Sequence, residues 1–439
     1  MVGATKPHPP PLRINGEIPI MHTARRLVSM AVNRLIQRLG GDDRVDLLRA
    51  VRESDVSPYF RVMESATAPI VQVEGADRIM LGSNNYLGLA DHPAIRQGAQ
   101  DALDTFGGAI TGSRLLNGTM DLHLDLESEI AEWHGTEDAM VFTTGYQTNL
   151  GTISAVVGVG DVVAVDSAAH ASIRDGCALS GATIRKFRHN DVADLESILG
   201  DTAAGDGAVL VIVDGLYSME GDLAPLGAVS ELCDRYGAAL MVDEAHSLGI
   251  FGKQRTGAAE LLGIDGDTDI RMASLSKSPS STGGFIAGSR DLLDSLRVNA
   301  RAFLFTTSGV PAAVGASLAA VRLIRSEEGE QRARRALDNA AVLRSGLADN
   351  GLDVGALSPL PGGGETVTPI VSVHVGDDLE AMNLWRTLFD RGVFTSAALY
   401  PAVPRSGAML RLCVMATHTD TQLRRAVDVI SETVTEAAA

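Results

Sequence analysis

Long uncharged apolar runs are missing from this 439-residue chain, and no stretch approaches the roughly 18 residues that a membrane-crossing helix needs. The first twelve residues hold four prolines and one lysine, which fits neither a secretory signal nor an anchor. A soluble, cytoplasmic protein is expected. Cysteine is scarce too: Cys177, Cys233 and Cys413 form no CxxC pair, so disulfides and structural zinc are not expected and buried thiols in a reducing compartment are. No metal site is predicted. Positive charge is in deficit, with 37 Lys and Arg against 55 Asp and Glu and a net charge of −18, and such a field repels polyphosphate and disfavours nucleic acid as a partner. GxGxxG and GxxxxGK(S/T) loops are absent, which argues against dinucleotide and nucleotide chemistry. No repeat of 20–50 residues is visible.

What the chain does have is a globular composition, 45% hydrophobic and 21% charged, and enough length for a large α/β core with an appendage. Residues 1–20 read as a Pro-rich lead. Between 21 and 39, Val28, Val32, Leu35 and Leu39 recur at helical spacing while Arg25, Arg26, Arg34 and Arg38 fill other positions, which predicts a basic amphipathic helix. It suits packing on the body or a partner subunit, or contact with a membrane surface or an anionic acyl carrier. Beyond residue 70, AMVFTT (139–144), VVAVD (162–166), VLVIVD (209–214) and ALMVDE (239–244) are apolar runs ending in polar or acidic residues, with helical stretches such as 121–134 and 225–236 between or before them. That alternation predicts an α/β fold whose mainly parallel sheet is covered on both faces, with ligands beyond the strand ends at Thr144, Asp166, Asp214 and Asp243. After about residue 310 a long helical stretch, a Gly/Pro-rich loop at 358–365 and shorter elements predict a smaller C-terminal α+β domain. The division expected is 1–62 as lead and arm, 63–310 as large domain and 311–439 as small domain.

The most informative segment is SLSKSPSSTGGF (274–285), a lysine flanked by hydroxyls after a short apolar run and before two glycines. Asp243 closes an apolar strand upstream, and His246 follows it in DEAHSLGIFG. A carboxylate at a buried strand end needs a cationic or hydrogen-bonding partner, and a protonated pyridine nitrogen is one. A lysine able to form an imine, an aspartate for the ring nitrogen and small hydroxyl residues near a phosphate are what pyridoxal 5'-phosphate (PLP) requires. In FTTGYQTN (142–149), Thr144, Gly145 and Tyr146 fall where a strand should turn into a helix, whose N-terminus favours an anion. His170 in DSAAHASIRDG is a candidate to lie on the ring. His123 and His189 have no evident chemical role, and the HND run at 189–191 suits a turn.

With these residues in view, the chain resembles the α-oxoamine synthases, and among them most the serine palmitoyltransferases. The likeness runs from about Tyr59 to Thr421 through ten segments in order: SNNYLGLADHP (83–93), TGSRLLNGTMDLHLDLE (111–127), FTTGYQTNLG (142–151), SAAHASIRDGCALSGA (167–182), FRHND (187–191), LYSMEGDLAPL (216–226), DEAHSLGIFG (243–252), SLSK (274–277), FTTSGVP (305–311) and LRLCVMATHT (410–419). The resemblance implies PLP-dependent transferase fold type I, with a mainly parallel seven-stranded sheet between helices. It implies that Lys277 bonds to the cofactor aldehyde, that Asp243 pairs with the pyridine nitrogen, that His246 reaches the phenolic oxygen and that His170 stacks on the ring and helps hold the substrate carboxylate. Gly145, Tyr146, Ser274 and Ser276 would bind the phosphate, helped by Thr306 or Thr307 from the other subunit of a homodimer with shared sites. Ser218 would lie near the cofactor, and Asn84 and Arg411 would contact the amino acid, Arg411 as the carboxylate anchor. The implied reaction joins serine to a long-chain acyl-CoA with loss of CO2. Alanine or glycine with another thioester, including one on an acyl carrier protein, is the alternative.

Two departures bear on the substrate. Bacterial serine palmitoyltransferases carry an arginine before a Pro-Pro pair where this chain has Leu399 and Tyr400, although Arg405 lies nearby and the YPAVP wording is similar to the eukaryotic catalytic subunit. Pro279 and Ser280 stand where a Val-Gly pair is usual, which stiffens the loop after the lysine.

Overall fold

The computed structural model describes residues 57–202 and 205–438, with Arg34, Arg38 and Arg49 besides. The predicted basic helix at 21–39 therefore lies outside the described residues except at Arg34 and Arg38. Pro58–Ala439 form one compact unit.

Fifteen strands and thirteen α-helices follow one another among the described residues. The strands that matter most are β1 (Ile70–Val73), β2 (Ala76–Met80), β3 (Asp138–Phe142), β4 (Val162–Asp166), β5 (Thr183–Phe187), β6 (Val209–Asp214), β7 (Ala239–Asp243), β8 (Ile270–Ser274) and β9 (Gly284–Gly288). After the two-residue strands β10 (Ser358–Pro359) and β11 (Glu365–Thr366) come β12 (Ile370–Gly376), β13 (Val393–Phe394), β14 (Ser396–Ala398) and β15 (Ala408–Cys413). The first helices are α1 (Pro93–Phe106), α2 (Asp121–His134), α3 (Gly145–Val156) and α4 (Ala171–Ser180).

The seven-stranded sheet runs β3-β9-β8-β7-β6-β4-β5. All pairings are parallel except those of β9, which runs against both neighbours. This is the expected fold type I sheet, and its strands are apolar throughout because both faces are covered. The period of two divides each strand between two cores. Val211, Val213, Leu240, Val242, Phe285 and Ala287 face one, while Leu210, Ile212, Met241, Met272 and Ile286 face the other. Each apolar run ends where its strand leaves the core, so Asp166, Asp214 and Asp243 stand together at the carboxyl edge, and Asp214 and Asp243 are register partners.

The C-terminal elements build a second sheet, β12-β15-β14, wholly antiparallel. Its core includes Val371, Val373, Trp385, Phe389, Leu410 and Leu412. Residues of the β1–β2 hairpin join that core, because β2 pairs in parallel with β13 although more than 300 residues separate them. The loop after β2 is thereby held at the seam, and it carries Asn84, Asn85 and Tyr86 to the carboxyl edge of the large sheet. Among the described residues no helix is long and apolar enough to cross a membrane.

Candidate active site

A cavity of about 270 Å³ opens at that edge, and Lys277, Asp243, His246, His170, Gly145, Tyr146, Ser274 and Ser276 all line it. These eight residues come from four separate segments of the sequence. Lys277 follows β8 by three residues and is walled by protein; this desolvation lowers its pKa, Arg411 adds to the effect and Asp243 and Asp214 oppose it. An amine so placed is more readily neutral than a surface lysine.

Asp243 is 4% exposed. Its carboxylate accepts from Asn149 Nδ2 at 2.8 Å and from the Ala245 N–H at 2.9 Å, and it forms no ion pair among the described residues. A buried anion held only by neutral amides has room for a cationic partner in the cavity, which fits a protonated pyridine nitrogen. Asp214 beside it is buried as well, and burial first and Asp243 second hold its carboxyl well above the usual range.

Another part of the lining suits a phosphate. Thr144 caps α3, its hydroxyl taking the Gln147 N–H at 3.1 Å, so that the remaining first-turn donors include those of Gly145 and Tyr146 at the cavity. A Cβ at Gly145 would come within 2.9 Å of Ser274 Oγ, so only glycine lets the helix start so close to β8. Ser274 and Ser276 face each other with 2.6 Å between hydroxyl oxygens. The Tyr146 side chain turns away, its hydroxyl donating to Asp175 on α4, which leaves the backbone as its means of anion contact.

His170 caps α4 and takes protons at Nδ1 from the Ser172 N–H and, at 2.7 Å, from its hydroxyl. Protein packed behind the ring lowers its pKa, more than Asp243 restores it. With Nδ1 accepting, the proton of the neutral ring is on Nε2. Ser172 in turn accepts from Asn149 Nδ2 at 3.0 Å, so a single amide orders both the aspartate and the histidine. Asn149 and Ser172 were not singled out from sequence. The signals were the position of Asn149 one helical turn beyond Gly145 and that of Ser172 two residues beyond His170.

Arg411 and Asn84 meet each other but do not line the lysine cavity itself. Arg411 is 5% exposed and donates to the Ser218 carbonyl, to Asn84 Oδ1 at 3.0 Å and to the Tyr86 hydroxyl at 3.3 Å. It has no acidic partner among the described residues, so this buried cation is matched only by neutral groups. Ser218 thus enters through its backbone oxygen. Thr306 and Thr307 lie outside the cavity within their own chain, near Gln147 and the Gly112 carbonyl respectively. The Arg405 guanidinium sits over the Tyr400 ring at 4.5 Å. Ser280 has φ of +54°, the left-handed region that glycine favours, and its hydroxyl donates to Asn85 Oδ1 at 2.9 Å. The three cysteines are free and buried, and burial pushes the thiols of Cys177 and Cys233 up to about 11 and about 12.

The two unassigned histidines are structural. His123 Nδ1 accepts the Met120 N–H at the start of α2. His189 sits in a turn, as expected, with Asn190 at φ +54°, but its ring also bridges two carboxylates. Nδ1 is 3.1 Å from Asp166 and Nε2 is 3.1 Å from Asp222. Burial opposes its charge, but the two acids outweigh that and raise its pKa to about 10. Asp222 belongs to the loop that carries Ser218, so the bridge braces the Arg411 acceptor. Because the folded pKa exceeds the ordinary 6.5, the stabilisation is complete below pH 6.5 and is lost as pH rises through about 10. A His189→Gln variant is therefore expected to show a lower urea midpoint than the parent at pH 6, with the gap closing toward pH 10. An equal gap at both values would contradict this account.

Comparison with known proteins agrees with the geometry. The model for aminotransferase class I and II matches residues 76–430. A serine palmitoyltransferase of Bacteriovorax stolpii is 38% identical over 388 residues, 88% of this chain and 90% of its own. An 8-amino-7-oxononanoate synthase of Geobacter sulfurreducens is 40% identical over 380 residues, 87% of this chain and 95% of its own. The solved serine palmitoyltransferase of S. paucimobilis superposes with a TM-score of 0.87 at 33% identity, covering 92% of this chain and 99% of that one. With the fold, the lysine cavity and these relatives in agreement, the chain belongs to the aminotransferase class I and II family and within it to the α-oxoamine synthases, PLP-dependent acyltransferases of fold type I.

Proposed function

We propose that the protein condenses L-serine with a long-chain acyl-CoA, releasing CoA and CO2 and yielding a 3-keto sphingoid base. The observation that carries the chemistry is the shared cavity of Lys277 and Asp243, with the buried cation Arg411 linked to it through Tyr86 and His246. When bound, PLP supplies an aldehyde for the amino group and an electron-poor ring that stabilises negative charge at Cα. Lys277, with its lowered pKa, takes the Cα proton. Asp243 would hold the ring nitrogen cationic, and His246 and His170 would meet the phenolic oxygen and the ring face. The α3 N-terminus at Gly145 and Tyr146, with Ser274 and Ser276, would hold the phosphate. Arg411 and Asn84 hold the amino-acid carboxylate, which fixes the Cα substituents before the acyl carbon is attacked. Cα would bond to the acyl carbon as its C–S bond breaks, the thiol leaving with the proton that Lys277 took; the carboxyl carbon would then leave as CO2, with a proton from solvent replacing it at Cα.

Thr306 and Thr307 fit the reading as phosphate contacts supplied across a homodimer interface. Leu115, Leu116, Phe305 and Val310 around them are exposed apolar side chains that a partner subunit would cover. A cytoplasmic location, with residues 21–39 touching a membrane face or an acyl carrier, completes the reading.

A second reading has support of its own, since the 8-amino-7-oxononanoate synthase is at least as similar in sequence as the first serine palmitoyltransferase. It would use alanine and a different acyl thioester. Release of CO2 from serine, alanine and glycine against a panel of thioesters on CoA and on carrier protein separates the two. Serine with palmitoyl-CoA is expected to be fastest and to give the 3-keto sphingoid base by mass. If alanine or glycine exceeds serine by about tenfold, a discrimination of the size one small contact provides, the serine assignment falls.

A further inference from the structure

Tyr86, which links Arg411 to His246, is wholly buried where three functional side chains converge. Its hydroxyl oxygen lies 2.7 Å from His246 Nδ1, 3.1 Å from Asn84 Oδ1 and 3.3 Å from Arg411 Nη2. A phenol has one proton to give. Arg411 only donates, and Nη2 also serves Asn84 Oδ1 at 3.0 Å, so that oxygen already has a donor. The shortest contact is to a ring nitrogen that can accept, and a proton given there leaves the ring's own proton on Nε2.

We propose that Tyr86 is a positioning residue that donates to Nδ1 of His246 and thereby fixes that imidazole as the Nε2–H tautomer, turning a donor toward the cavity. This rests on the reading above, in which His246 meets the phenolic oxygen of PLP. Burial, with Lys277 and Arg411 close by, keeps the ring from taking a second proton, and burial keeps the Tyr86 phenol protonated. A singly protonated imidazole with no partner at Nδ1 divides between its tautomers, and the wrong one sets a lone pair against an oxyanion. The charged and titratable groups facing the pair are Lys277, His170, Arg411 and Cys413.

The test is a pH titration of the visible absorbance of the PLP-loaded protein. A donor at the phenolic oxygen stabilises the high-pH form, so losing it moves the midpoint upward. Tyr86→Phe is expected to raise the midpoint by about 0.5–1 unit, the size of one ordinary hydrogen bond. In a His246→Asn background the same exchange should add nothing, because the effect passes through the histidine. Site-specific 3-fluorotyrosine at position 86 keeps the shape, strengthens the donor and should move the midpoint downward, which preserves the test if Tyr86→Phe does not fold. An unchanged midpoint in both variants, or a shift that persists without His246, overturns the proposal while the active-site reading stands. A parent protein that takes up no PLP overturns both.

Discussion

Lys277→Ala is expected to lower turnover by about 10³-fold or more, because in the proposed function one side chain serves as both the covalent anchor and the Cα base. Borohydride reduction of the PLP-loaded protein should then fix the cofactor's mass on the parent and not on the variant, as read by intact-protein mass spectrometry. The fold should survive the change. Burial lowers the proton affinity of this lysine, so removing it relieves a desolvation cost rather than breaking an ion pair, and the melting transition is expected to stay cooperative. A variant that still traps the cofactor on borohydride, or keeps a tenth of parental turnover, would remove Lys277 from the chemistry.

Much of this site was legible in the sequence because its parts sit at element ends that composition marks. β4, β6 and β7 end at Asp166, Asp214 and Asp243 because the apolar run ends there. Thr144 and Gly145 advertise a strand-to-helix turn, and the cap and close approach are where the pattern puts them. What sequence did not reveal is pairing over long separations. Nothing local in GFIAG says that β9 runs against its neighbours. The joining of β2 with β13 is likewise a tertiary outcome, and it is what sets Asn84 and Tyr86 beside Arg411. His189 shows the same limit: its turn was readable from HND, but the second acid of its bridge, Asp222, is 33 residues away. Side-chain networks such as Asp243–Asn149–Ser172–His170 draw their residues from three elements far apart in the chain, so no window of sequence contains them.

Asp243→Asn should isolate the electrostatic part of the mechanism, because the amide keeps the shape and one of the two hydrogen bonds of the carboxylate but not its charge. The Asn149 Nδ2 and Ala245 N–H donors now point at the two carboxylate oxygens, Oδ2 and Oδ1 respectively. An asparagine presents one oxygen and one nitrogen to the same two donors, so one donor is left facing a donor. The larger loss is at the ring nitrogen, whose positive charge would then be buried without a counterion. Breaking a buried pair by neutralising one member costs about 3–5 kcal/mol, which converts to roughly 10²–10³·⁵-fold in rate if it is felt at the transition state. Asp214 does not substitute, since its raised pKa comes first from burial, which remains after Asp243 is gone. The measurement is kcat at saturating amino acid, serine in the proposed function, with PLP in excess, together with the equilibrium for PLP binding, so that weaker loading is separated from slower chemistry. A fully loaded variant within about threefold of parental kcat, a difference under 1 kcal/mol, would show that the carboxylate is not the ring's counterion. The site would then have to keep its electron sink by some other charge.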